Sequence, residues 1–245
     1  MLITGGSRGI GRAAAEAFAR RGDRVAVVYR SDREAAQATL EALAGDGHVA
    51  VRADLADLDR AREAVHEAAD ALGGLDVLVG NAGGGRRHRI DEDDADAWRS
   101  AWNEVLHLNL TVQAELAHAA ARRMMASGGG RMVFVSSRGA FRGEPDQPAY
   151  GAAKAGLNAL AQSLAVQLGP YGIGVHGVAP GFVATDLARE RLAGECGDAI
   201  RAQSPLGRVA TPEEIAHVIV FLADPEALWT TGAIVDANGA SYLRT

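Results

Sequence analysis

The 245-residue chain contains a single cysteine, Cys196. One thiol excludes an internal disulfide framework and fits a reducing compartment, and Cys196 itself reads as incidental rather than reactive. No apolar run approaches the ~20 residues that a membrane-crossing helix needs. The N-terminus lacks a charged segment followed by an apolar one, so no secretory leader is expected and the cytoplasm is the expected compartment. Positive charge is not in excess: 25 Lys and Arg stand against 31 Asp and Glu, for a net charge of −6 and a pI near 5.6. That balance gives no general attraction to nucleic acid or to a membrane surface. There is also no His/Cys cluster. The acidic run Asp91-Glu92-Asp93-Asp94, with Asp96, is consecutive and cannot all face one ion; it reads as favouring a helix N-terminus, and no metal is expected.

What is present is ordinary for a globular chain, 48% hydrophobic and 23% charged residues. The length allows one large α/β domain over residues 1–245, with no repeats or linker. The opening Met1-Leu-Ile-Thr4 strand enters the glycine turn Gly5-Gly6-Ser7-Arg8-Gly9-Ile10-Gly11, which opens an Ala-rich helix. Glycines let the backbone approach a phosphate closely, and a helix N-terminus favours that anion, although the same turn also serves as a bare strand-to-helix connection. Strands and helices then alternate. Strands are expected at Arg24–Tyr29, His48–Arg52, Leu75–Val79, Arg131–Val135, Gly174–Val178 and Ala233–Asp236. Helices are expected over roughly Glu34–Ala44, Leu58–Leu72, Ala95–Ala126 and from Ala149 to Leu168, and Thr211-Pro-Glu-Glu214 carries the capping-box signature of another. The alternation predicts a doubly wound parallel sheet of about seven strands.

The segment from Ser137 to Lys154 joins a strand end, a Pro/Gly-rich loop and a helix start. Tyr150 and Lys154 are four apart, hence on one helix face. Lowering a tyrosine pKa from ~10 to ~7 takes ~4 kcal/mol, and one cation at about 4 Å supplies roughly that at an effective dielectric of about 20. A single lysine suffices in principle, with Ser137 placed to hydrogen-bond a carbonyl oxygen. In isolation the same spacing also describes a buried Tyr beside a snorkelling Lys. The wider pattern favours a ligand crevice, because the motifs all fall at the carboxyl ends of strands: Gly5–Gly11, Asp54, Asn81-Ala82-Gly83, Ser137 and Pro180-Gly181.

Taken in this order, Thr4-Gly5-x3-Gly9-x-Gly11, Asn81-Ala82-Gly83, Asn109, Ser137 and Tyr150-x3-Lys154 resemble the short-chain dehydrogenase/reductase family, across essentially the whole chain. The resemblance implies a single-domain Rossmann fold with a variable substrate lid over about residues 184–208. It implies Tyr150 as general acid for carbonyl reduction, Ser137 polarising the carbonyl, Lys154 also holding the nicotinamide ribose, and Asn109 supporting a water-mediated proton relay. The cofactor contacts it implies run from Gly5, Ser7, Arg8, Gly9, Ile10 and Gly11 through Asp54 and Leu55 at the adenine to Asn81, Ala82 and Gly83. On the nicotinamide side they are Tyr150, Lys154, Pro180, Gly181, Val183 and Thr185.

Cofactor choice turns on the end of the second strand. Tyr29 stands where an acid would take the ribose 2′-hydroxyl, and Arg30-Ser31 follow, with Arg8 near the same corner; a cation and a hydroxyl suit the 2′-phosphate of NADPH over NADH. Asp32, which would argue for NAD, is read as the start of the next helix. Members reducing 3-oxoacyl-carrier-protein are the nearest in pattern, but Gly128 and Tyr171 stand where carrier-docking relatives have basic residues. Arg86-Arg87-His88-Arg89 is read as a solvated loop, His176 as structural, and Trp98 with Trp102 as packing. The first strand is short, so a clipped strand or a start upstream is expected. The expected activity is NADPH-dependent reduction of a ketone such as a β-ketoacyl thioester or a polyketide-like ketone, by a homo-oligomer, the family's usual tetramer. The alternatives are an NAD-dependent alcohol or sugar dehydrogenase and a dinucleotide redox sensor.

Overall fold

The structure is a computed structural model that describes residues 1–244. Seven parallel strands form one sheet: β1 (Leu2–Thr4), β2 (Ala26–Tyr29), β3 (Val49–Arg52), β4 (Val77–Gly80), β5 (Gly130–Val135), β6 (Ile173–Pro180) and β7 (Ile234–Ala237), in the spatial order β3-β2-β1-β4-β5-β6-β7. The order reverses between β1 and β4, and the reversal opens a crevice at the carboxyl ends of the strands. The connecting helices are α1 (Gly9–Arg20), α2 (Arg33–Ala42), α3 (Leu58–Leu72), α4 (Ala95–Leu106), α5 (Val112–Ser127), the short α6 (Gly139–Arg142) and α7 (Pro148–Leu168). After β6 come α8 (Asp186–Ala193), α9 (Gly197–Arg201) and α10 (Pro212–Leu222).

Both faces of the sheet are covered, so the strands read as continuous apolar runs rather than as alternating ones. Successive side chains point to opposite layers. Leu2, Leu78, Met132 and Phe134 pack with α3, α5 and α7, whereas Ile3, Val79, Val133 and Val135 pack with α1 and α10. Local chemistry sets the helix starts. Asp32, Asp57 and Asp94 accept hydrogen bonds from the first-turn N–H groups of α2, α3 and α4. Thr211 and Glu214 form the expected capping box on α10, with Pro212 at its first position. Asp32 is therefore a helix cap, as its place beyond the strand suggested.

The structure departs from the expected long helix between Ala95 and Ala126. A π-helical turn at His107–Thr111 separates α4 from α5. The wider turn carries buried Asn109, whose amide reaches out of the helix to another chain segment. No local residue preference signals such a turn; π-bulges of this kind occur often at functional sites. β1 is indeed short, yet it is fully buried and paired on both sides, Ile3 opposite Val27 and Val79. Among the described residues, no helix is long and apolar enough to cross a membrane.

The switch point between β1 and β4 is tied together by one hydroxyl. Thr4 Oγ1 donates to the Val79 carbonyl at 3.3 Å and accepts from the Asn81 and Ala82 N–H groups at 3.0 Å each. That is the full capacity of a hydroxyl, and Thr4 is wholly buried. Thr4→Val keeps the shape and leaves three buried backbone groups without this partner, so urea unfolding should show a loss of ~2–4 kcal/mol; a loss below ~0.5 kcal/mol would show the hydroxyl is dispensable.

Candidate active site

Each strand end delivers one part of the crevice. After β1 the chain turns through Gly5 (φ +63°) and Gly9 (φ +53°), left-handed conformations that favour glycine. A Cβ on Gly11 would lie 2.3 Å from the Gly5 carbonyl and 2.6 Å from Asn81 Nδ2. The turn therefore packs directly on the loop after β4, where Asn81 Nδ2 donates to the Thr4 and Gly5 carbonyls at 2.9 and 3.2 Å.

Gly83, in the same loop, sits at the meeting point of two of the anticipated residues. A Cβ there would lie 2.7 Å from Asn109 Oδ1 and 3.3 Å from Lys154 Nζ. Asn109 is held by a reciprocal pair with the Gly84 backbone, accepting from its N–H at 3.2 Å and donating to its carbonyl at 2.7 Å, and it also donates to the Val105 carbonyl at 2.8 Å. Lys154 Nζ donates to the Val135 carbonyl at 2.8 Å, next to Ser136 and Ser137. Ser137 Oγ accepts from the Gly139 N–H at 3.0 Å. Asn109 and Lys154 thus meet beside Gly83, and the bond from Lys154 to Val135 brings the ammonium to the strand end that precedes Ser137.

α7 carries two of them because it begins at Pro148, which places Tyr150 in its first turn and Lys154 one turn on. The ammonium lies 5.6 Å from the Tyr150 ring centroid. Charge in this space behaves differently from the expectation built on the Tyr–Lys pair alone. Burial pushes the Tyr150 pKa up, with Ser137 acting the other way, and burial pushes Lys154 down to about 8. Removal from water disfavours the charged form of both groups, and here that outweighs their mutual help.

His88 is a positioning residue that the sequence did not signal. It is fully buried, not solvated: its Nδ1–H donates to the Arg86 carbonyl at 2.7 Å and its Nε2 accepts from the Ala149 N–H at 3.1 Å, in the first turn of α7. The neighbouring arginines are neutralised. Arg86 pairs with Glu104, Arg87 with Glu92, and Arg89 with Asp91 and Asp146. Sixty-one residues separate His88 from Ala149, so no local pattern exposes the contact. Trp98 and Trp102 do pack, stacked at 5.0 Å. His176 is buried, bonded to Thr230 Oγ1 at 3.1 Å and pushed down to about pKa 4 by burial, in keeping with a structural role.

The residues anticipated as cofactor contacts lie at the carboxyl ends of several strands. Val183 bridges to Ala210 at the base of α8, and Gly9 lies against the Thr185 methyl, 3.1 Å from where its Cβ would be. Asp54 is exposed at the end of β3, its carboxylate accepting from the Ala56 N–H at 3.1 Å, and Leu55 beside it is buried. At the end of β2, Arg30 is exposed, while Arg8 forms an ion pair with Asp32. The fit to a dinucleotide is good: α1 has no side-chain cap and no acid in its first turn, and Gly11 within that turn has no room for a Cβ. Among the described residues no group of His, Cys, Asp or Glu could hold a metal ion.

Residues 5–239 match the family model described as enoyl-(acyl carrier protein) reductase. The chain is 40% identical to an L-rhamnose 1-dehydrogenase (NAD(P)(+)) of Azotobacter vinelandii, over 99% of this chain and 96% of that protein. It is 34% identical to a 3-oxoacyl-(acyl-carrier-protein) reductase of Vibrio harveyi, over 99% and 96% respectively. A solved short-chain dehydrogenase from Burkholderia cenocepacia in complex with NADP superposes with a TM-score of 0.87 at 34% identity, over 98% of this chain and 96% of that one.

Lys154 makes the site's electrostatics measurable. Its folded-state pKa of about 8 lies below the ordinary 10.5, so between these values the unfolded chain binds more protons and folding stability rises with pH. From pH 8 to 10 the stability of the wild type should gain on that of Lys154→Met by ~2 kcal/mol in urea titrations. A constant difference between the two would show that the ammonium is not desolvated.

Proposed function

This chain belongs to the short-chain dehydrogenase/reductase family and is an oxidoreductase of CH–OH and C=O groups using a nicotinamide dinucleotide, and on that premise we propose that it reduces a ketone with NADPH, using Tyr150 as the general acid. The observation that carries this reading is the place of Tyr150 one helical turn from the buried Lys154 ammonium, which lies 5.6 Å from the Tyr150 ring centroid and is bonded to the strand end that leads to Ser137. When bound, the nicotinamide supplies the hydride that adds to the carbonyl carbon. Ser137 donates a hydrogen bond to the carbonyl oxygen, and Tyr150 transfers its proton to that oxygen as the C–O bond becomes single. A raised Tyr150 pKa keeps the hydroxyl protonated at neutral pH, the form that reduction requires. Lys154, still largely charged at pH 7, steadies the developing phenolate and reaches the nicotinamide ribose. Asn109, clamped to Gly84, holds the relay end of the site.

In the same reading Gly5, Ser7, Gly9, Ile10 and Gly11 cradle the pyrophosphate with the N-terminus of α1, Asp54 and Leu55 meet the adenine, and Asn81, Ala82 and Gly83 pass beside the cofactor. Pro180, Gly181, Val183 and Thr185 meet the carboxamide. Arg8, Arg30 and Ser31 receive the 2′-phosphate, for which Arg8 exchanges Asp32 for the phosphate. The NADP complex of the Burkholderia cenocepacia relative supports this preference. Residues 184–208, through α8 and α9, form the substrate lid. Exposed apolar side chains, Trp229 at 98% and Val166 at 82%, support assembly into a homo-oligomer, the family's tetramer.

A second reading, oxidation of a sugar hydroxyl, is favoured by the 40% identity to the L-rhamnose dehydrogenase. It uses the same residues in reverse, with Tyr150 accepting the proton. Both readings are tested by following NADPH oxidation with an acetoacetyl thioester and a cyclic diketone, and NADP reduction with L-rhamnose. Tyr150→Phe should lower turnover by at least ~10³-fold while NADPH binding stays within twofold; retained turnover would remove Tyr150 from the chemistry. Arg30→Ala should weaken NADPH binding about tenfold more than NADH binding, and equal losses would contradict the phosphate role.

A further inference from the structure

Beside the crevice, between the carboxyl ends of β6 and β7 and the α8–α9 segment, lies a cavity of about 220 Å³. Phe182, Ile200, Leu206 and Ile215 give it apolar walls, and Arg138 reaches it from the end of β5. Arg138 directly follows Ser137. Its N–H donates to the Pro180 carbonyl at 2.9 Å, so its backbone is fixed against the end of β6.

The Arg138 side chain is an unusual cation. The residue is only 5% exposed, its guanidinium lies 5.1 Å from the Phe182 ring centroid, and the oxygens it donates to, Gln203 Oε1 and Ser241 Oγ, are both neutral. Arg142 donates to the same Gln203 Oε1 at 3.2 Å, and Arg191 of α8 covers the same Phe182 ring at 5.7 Å. Among the described residues no carboxylate pairs with any of these three arginines. Arg208, which also lines the cavity, differs: Glu214 neutralises it through two bonds of 2.6 and 2.7 Å. Burial and the Arg142 charge both push the Arg138 pKa down, while Glu144 acts weakly the other way. A cation held among apolar walls and neutral acceptors is costly, and an anion brought to it recovers much of that cost.

We propose that this cavity is a carboxylate subsite, in which Arg138, supported by Arg142, receives an acid group on the substrate whose carbonyl is held by Ser137 and Tyr150. The assignment rests on the reductase reading above for the position of the carbonyl. A planar carboxylate matches the fork of a guanidinium, and Arg138 directly follows Ser137 in the chain. The substrate class is an oxo acid, or the corresponding hydroxy acid in the oxidative direction. The Phe182 ring, under Arg138 and Arg191, gives the subsite an apolar wall beside the guanidinium. Gln203, from the segment after α9, links the subsite to the lid.

The test compares oxo acids with their methyl esters: acetoacetate, levulinate and 5-oxohexanoate, titrated calorimetrically into the protein in the presence of NADP, which reads binding without turnover. At least one acid should bind about tenfold or more tightly than its ester. Arg138→Met should abolish that advantage while leaving ester binding within twofold, and Arg138→Lys should restore part of it. If circular dichroism shows that Arg138→Met does not fold, Arg142→Ala, at an exposed position, should still lower the acid's advantage several-fold. Equal binding of every acid and ester by the wild type, or an advantage unchanged in the variant that folds, overturns the proposal. NADPH oxidation with the same pairs separates the two readings. Acid-selective binding without turnover keeps the subsite and removes the reductase; turnover with no preference for acids keeps the reductase and removes the subsite.

Discussion

In a parallel sheet covered on both faces, the chain leaves each strand inside the protein, where every N–H and C=O needs a partner. The rest of this structure depends on how that need is met where β1 and β4 part. Thr4 Oγ1 takes three backbone groups, and Asn81 Nδ2 takes the carbonyls of Thr4 and Gly5. Because these bonds join the glycine turn to the loop after β4, the two walls of the crevice are set relative to each other before any ligand arrives. Gln113 extends the same scheme by donating to the Ala82 carbonyl at 2.7 Å. The loop so fixed brings Gly83 to the one place where Asn109 and Lys154 converge, with no space for a side chain between them.

Desolvation then governs the chemistry. Lys154 is the one lysine among the 25 Lys and Arg residues. Arginine stays charged in any protein environment, whereas a lysine responds to burial by several pKa units. The ammonium here is pushed down to about 8 and keeps a hydrogen bond to the Val135 carbonyl. Tyr150 moves the opposite way and holds its proton. Both shifts have one main cause, removal from water, and they keep the Tyr150 hydroxyl protonated at neutral pH.

Outside the crevice arginine serves two different ends. Most arginines pair with nearby carboxylates at the surface, as Arg60 does with Glu63 and Arg62 with Asp59, contacts that contribute little to stability. The basic run Arg86–Arg89 is of this kind, so it offers no free charge to an acidic partner. Arg138, Arg142 and Arg191 do the reverse. They gather around Phe182 and Gln203 with neutral acceptors only, beside Ser137 in the chain. Pairing decides which of the two groups is available to a ligand.

The sequence by itself determined the features that depend on local periodicity and residue chemistry. The alternation of strands and helices, the glycine turn, the Asp32 and Thr211 caps and the shared face of Tyr150 and Lys154 all follow from residues within a few positions of one another. Tertiary structure alone decided the rest. The π-turn at His107–Thr111 carries Asn109 to a partner 25 residues away, and His88 finds the first turn of α7 across 61 residues. Arg138 meets its acceptors 65 and 103 residues on. The direction of the Tyr150 shift was likewise decided there, because a helical spacing specifies which groups are neighbours but not how much water surrounds them. Desolvation belongs to the assembled fold, and in this site it outweighs the pairwise attraction that the spacing reveals.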